Sequence, residues 1–174
     1  MITNKFILLV LFIQHFFITW DQNRPLKFED FKYTPQTEQE YSALTACKLY
    51  FDQTTINDSI KYDIHFYFIC DSSFICCDDS ILLAHEQGHF DISEIYARML
   101  RKKYIELVKH NSSLDSIYSS IYVITELINL NTKYDSETDH GKIYTENERW
   151  KLKIEKMLDS LRDYDKPKGT ISIR

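Results

Sequence analysis

Apolar and polar positions along the 174-residue chain change period several times, and each change marks an element. Between Lys61 and Cys70 they alternate strictly. Tyr62, Ile64, Phe66 and Phe68 oppose Lys61, Asp63, His65 and Tyr67, which predicts a strand with one buried face and leaves His65 exposed on the other. Thr45 to Asp52 reads as a second strand, with Asp52 to Ser59 as the hairpin loop between them. From Ile81 the spacing lengthens. Ile92, Ile95, Tyr96, Met99, Leu100 and Tyr104 recur at three and four, so a long amphipathic helix is expected from the cap residues Asp78, Asp79 and Ser80 to about His110. Asn111-Ser112-Ser113 breaks it. A second helix carries Leu114, Ile117, Tyr118, Ile121, Thr125 and Ile128 on one face and fades at Asn129 to Thr132, before a polar loop from Tyr134 to Gly141. A third opens on Thr145-Glu146-Asn147-Glu148, a capping-box pattern, and buries Trp150, Ile154, Met157, Leu158 and Leu161. Residues 32 to 42 read as loop, and the chain from Asp165 as a polar, frayed tail. The fold class is α+β: a small N-terminal antiparallel sheet followed by three helices in one domain over residues 21–164.

The first twenty residues stand apart. Lys5 precedes the apolar run Phe6 to Ile13, Gln14 and His15 interrupt it, and Phe16 to Trp20 resume it. A positive start before an apolar stretch is the pattern of a secretory signal; with no small-x-small cleavage site after it, an uncleaved membrane anchor is the alternative. The expected location is therefore exported, periplasmic or extracellular, with membrane contact only through residues 1–20. Cys47, Cys70, Cys76 and Cys77 would then be free to pair, except that adjacent Cys76 and Cys77 do not easily bridge each other. A net charge of −5 without any basic cluster argues against nucleic acid as a partner.

The candidate chemistry lies in His85-Glu86-Gln87-Gly88-His89. On a helix, histidines four apart project from one face and can grip one metal ion, while Glu86, rotated by about 100°, sits beside the ion as a general base. Catalytic zinc takes three protein ligands. Glu94, about 7.5 Å along the same helix, faces elsewhere, and Glu106 and His110 are roughly 25 and 32 Å away. A second helix running back antiparallel over about 28 Å ends level with His89 and delivers the following loop to the metal. That ranks His140 first as third ligand, Glu126 second, and Asp139 or Asp135 as carboxylate alternatives. Tyr134 and Tyr144 flank His140 and are candidate oxyanion donors. Asp91 either orients a histidine or bonds within the fold, and Glu94 with Arg98 reads as a helix-face ion pair.

Leu82 to Arg98, L-L-A-H-E-Q-G-H-F-D-I-S-E-I-Y-A-R, together with Y-D-S-E-T-D-H-G from Tyr134 to Gly141, Trp150, and R-P-L-K-F-E-D-F from Arg24 to Phe31, resembles a bacterial family known as domain of unknown function 922, regarded as secreted zinc peptidases. The resemblance implies a zincin-like helical unit, Zn2+ as cofactor, His85 and His89 as ligands, Glu86 as the catalytic acid, His140 in the second motif, and a peptide or protein as substrate. Ser73-Phe74, where a Ser-Trp pair is expected, and Cys76-Cys77 depart from it. The alternatives are an exported metal-binding or structural module without hydrolytic activity, and a zinc amidase acting on cell-wall peptides.

Overall fold

A computed structural model describes residues 17–37, 39–110 and 120–173, and its architecture is α+β. The expected break at residues 111–113 and most of the leader lie outside the described residues. Strands β3 (Cys47–Ile56) and β4 (Ser59–Ile69) form a long antiparallel hairpin in register from Cys47↔Phe68 to Ile56↔Ser59. Both strands run further than the alternation suggests, because the turn is only Asn57-Asp58. Asn57 takes the left-handed conformation (φ 52°) that a two-residue hairpin loop requires.

The other edge of β4 is shared by two short strands from opposite ends of the chain. β1 (Phe17–Thr19) pairs at Phe17↔Ile69, and β6 (Lys168–Ser172) pairs from Ser59↔Ser172 to Asp63↔Lys168. Both correct the expected boundaries. Residues 17–20 pack against the domain expected to begin at residue 21: Trp20 Nε1 donates to Asp91 Oδ1 at 2.7 Å, and its ring lies under the Arg98 guanidinium. The tail is not frayed, since Ile171 is buried in the core and β6 fills an edge of β4 that would otherwise leave backbone groups unpaired. A separate two-stranded ribbon joins β2 (Ala43–Leu44) to β5 (Phe74–Ile75).

Helix α1 (Ser80–Lys109) is the spine. Asp79 caps it by accepting from the amides of Ile81 and Leu82. Every residue from Ile92 to Arg98 is buried, because the sheet covers one side and helices α2 (Ser120–Thr138) and α3 (Tyr144–Ser160) cover the other. Ile92 and Ile95 are fully enclosed with Ile64, Phe66, Tyr134, Trp150 and Ile154, each contributing about 1.5–3 kcal/mol. The expected Glu94–Arg98 ion pair is present and buried: Glu94 Oε1 accepts from Arg98 Nε at 2.9 Å and from Arg101 Nη2 at 2.6 Å, while Arg101 Nη1 donates to the Ile64 carbonyl. His65, expected to be exposed, is buried too. Asp63 holds its Nδ1 at 2.8 Å, and the rings of Tyr50 and Tyr67 enclose it. Among the described residues no helix is long and apolar enough to cross a membrane.

Candidate metal centre

The first turns of α1 carry His85, Glu86 and His89, of which His85 and Glu86 are buried. One potential ligand atom from each lies within 4.8 Å of the others. A closer set, however, includes a residue from α2. The polar stretch expected as a loop from Tyr134 is helical through Thr138, so Asn131 and Asp135 face α1 one turn apart. Asp135 Oδ1 lies 3.2 Å from His85 Nε2 and 3.0 Å from His89 Nε2, and the two Nε2 atoms are 3.2 Å apart. These three atoms form a nearly equilateral triangle. A tetrahedral zinc ion with bonds of 2.0–2.1 Å requires donors about 3.3–3.4 Å apart, so the set fits with little adjustment.

The remaining ring nitrogens fix what the triangle can do. Asn131 Nδ2 donates to the Leu127 carbonyl at 3.0 Å, which turns its Oδ1 toward His89 Nδ1 at 2.7 Å. Asn147 Nδ2 donates to the Gly141 carbonyl at 2.6 Å and turns its Oδ1 toward His85 Nδ1 at 3.3 Å. Both rings therefore carry their hydrogen on Nδ1, and in the neutral imidazoles both Nε2 atoms present bare lone pairs to a carboxylate oxygen. Such a set would take up a metal ion. Without a metal, a proton serves. The His89 imidazole is raised above its ordinary value: burial alone would lower it, but the Asp135 and Glu86 carboxylates outweigh burial. Asp135 is held far below the usual carboxylate range, the hydrogen bonds from His85 and His89 overcoming its own desolvation. Glu86 Oε2 is buried and has no hydrogen-bond partner, an orphaned acceptor beside the triangle.

The other expected site residues fall at graded distances. His140, ranked first as third ligand, stands outside the pair: its Nδ1 is 3.6 Å from the same Asp135 oxygen, its side chain is 43% exposed, and its ring packs on Tyr41. It follows α2 in a turn where Asp139 (φ 48°), His140 (φ 51°) and Gly141 (φ 86°) are all left-handed, held by His140 N donating to the Asp135 carbonyl at 2.9 Å and Ile143 N to Thr138 at 2.9 Å. Gly141 is required twice over, since a Cβ there would also meet His85 Cγ at 3.0 Å. Glu126 is exposed on α2 away from the cleft, and Asp139 pairs with Lys142 at 3.5 Å. Tyr134, a candidate oxyanion donor, directs its hydroxyl at the backbone. It is buried, stacks on His85 with centroids 4.5 Å apart, and gives its hydroxyl hydrogen to the His85 carbonyl. Tyr144 is 58% exposed and does not line the cleft. Asp91 bonds within the fold, accepting from Trp20 and from Gln87, whose Oε1 in turn accepts from Leu26 N.

The cleft above the triangle has a volume of about 830 Å³, within the range of ligand-binding sites. His85, Glu86, His89, Asp135 and His140 line it from the helices, and Tyr41 to Thr45 line it from β2 and the loop before it. This loop carried no signal beyond its polar composition, so Tyr41 escaped the sequence reading. β4 has neighbouring strands on both edges, and the short strand β2 lines the cleft with Ala43 and Leu44. No protein-family model, curated protein or solved structure matches the chain. The functional reading therefore rests on the site itself.

Proposed function

We propose that the chain is a zinc-dependent hydrolase of peptide bonds, with His85, His89 and Asp135 as the metal-holding set and Glu86 as general base. One observation carries the reading: two imidazole nitrogens and a carboxylate oxygen converge to 3.0–3.2 Å of one another, beside a buried carboxylate with a free oxygen. A zinc ion held there would supply Lewis acidity toward a carbonyl and would lower the pKa of water to about 7. Glu86 Oε2 takes the proton from the attacking water and later returns it to the departing amine. Asn131 and Asn147 keep both imidazoles in the ligating tautomer. His140, exposed on the cleft wall next to Asp135, is the donor best positioned to meet charge that develops on the substrate carbonyl oxygen, the role first assigned to Tyr134 and Tyr144.

The test is Glu86→Gln in the purified protein. Zinc content stays at that of the unsubstituted chain while cleavage of a mixed peptide library disappears. Loss of zinc together with cleavage would make Glu86 a ligand instead of a base, and absence of any cleavage by the zinc-loaded unsubstituted chain would leave a metal-binding module.

A further inference from the structure

The β5–α1 junction contains two cysteines, and the fold leaves them adjacent, exposed and close. Their Sγ atoms are 3.1 Å apart, and Cys77 lines the cleft. The other two thiols are shielded. Cys70 is buried, and Cys47 is half-buried against α1 with its thiol pushed up to about 12 by desolvation. The pair also sits on two backbone bonds that position the cleft: Cys76 N donates to the Ser42 carbonyl at 2.8 Å, and the Cys77 carbonyl accepts at 2.8 Å from the amide of Asp79, the residue that caps α1.

We propose that Cys76 and Cys77 form a dithiol site that exchanges with low-molecular-weight disulfides and closes to a vicinal disulfide, loosening the start of the metal-bearing helix. In the exchange one thiolate displaces a thiol from the small disulfide, and the second thiolate displaces the other half. Two protein S–H bonds are replaced by one S–S bond, two protons leave the cysteines, and the small disulfide is reduced to two thiols. Closing requires the sulfurs to approach by about 1 Å, from contact to 2.05 Å. Neighbouring Cα atoms are 3.80 Å apart, below the 4.4–6.8 Å that disulfides usually span, so the ring is strained and readily reduced, as suits a reversible bond and not a permanent staple. The strain falls on the Cys76–Asp79 segment. Drawing the Cys77 backbone toward Cys76 shifts Asp79 from the amides of Ile81 and Leu82.

The experiment treats the full chain with oxidised glutathione, quenches it with acid and reads intact mass, a peptide map and amide exchange. A loss of two hydrogens is expected, confined to the peptide containing both cysteines and reversed by excess reduced glutathione. Cys76→Ser and Cys77→Ser, both surface replacements, stop at a single glutathione adduct. In the oxidised unsubstituted chain the Ile81 and Leu82 amides exchange about fivefold faster, the worth of one lost cap. A stable glutathione adduct on the unsubstituted chain, a disulfide-linked dimer, or a disulfide that leaves these two amides unchanged would overturn the proposal. None of these readouts requires metal or peptide cleavage, so they are independent of the hydrolase reading.

Discussion

Replacing Asp135 and His140 one at a time separates the two candidates for the third metal donor. Asp135 Oδ1 completes a triangle of 3.0–3.2 Å edges with the two Nε2 atoms, whereas His140 reaches that triangle only through Asp135. Apparent binding energies of about 10–16 kcal/mol, shared over four donors, give about 2.5–4 kcal/mol per donor, or two to three decades in Kd. Asp135→Ala should therefore weaken zinc binding by about 100- to 1,000-fold, matching His85→Ala as the reference for a lost ligand. His140→Ala should stay within about threefold of the unsubstituted chain, because its Nδ1 stands 3.6 Å from Asp135 Oδ1 and its side chain is 43% exposed. Competition against a chromophoric chelator at fixed pH gives each Kd, and far-UV circular dichroism shows that each variant is folded. If His140→Ala loses two decades while Asp135→Ala loses less than one, the triangle argument is wrong and the loop histidine is the ligand.

Truncating the residues that orient the rings should act more gently. Asn131→Ala and Asn147→Ala should each cost about 10- to 100-fold in zinc affinity, with Asn131 the larger because its bond is 2.7 Å against 3.3 Å, read by the same competition assay. Gly88→Ala should destabilise the protein by about 1–3 kcal/mol even though alanine is the better helix former, because the new Cβ meets Tyr134 Cζ at 2.8 Å and Cε1 at 2.9 Å; denaturant unfolding measures it. The chelator-treated protein should be most stable between about pH 4 and 6.5. Asp135, lowered by folding, contributes above its unfolded value and is lost as acid approaches its folded one; His89, raised by folding, contributes fully below about 6.5 and is lost as pH rises through its folded value. Urea midpoints across pH test this, and Asp135→Asn should flatten both limbs.

Helix α1 was legible almost to the residue, since its three-and-four spacing runs unbroken from Ile81 and Asp79 supplies a side-chain cap. The His85, Glu86 and His89 placement followed from it. The turn of Tyr134 to Thr138 was not legible, because a string of tyrosine, aspartate, serine and threonine reads as loop. Its helicity depends on tertiary contacts, with Tyr134 wedged among His85, Gly88 and Trp150 and Thr138 Oγ1 bonded back to the Tyr134 carbonyl. That one misread element is why Asp135 ranked behind His140 as a candidate third donor. Asn131 and Asn147 gave no warning, since asparagine in a helix commonly marks a boundary and these two act only through partners distant in the chain. β1 and β6 are three and five residues long, too short for alternation to register, and owe their order to the waiting edges of β4.

The contact between Gly88 and Tyr134 makes two distant positions a single unit of size. The phenol fits only where a side chain is missing, and the next residue after it is Asp135, so the volume at position 88 sets how near the second helix can bring its carboxylate to the histidines. A bulkier residue at 88 would be tolerated only with a smaller one at 134, and each such exchange would retune the grip on a cation without altering any group that touches it.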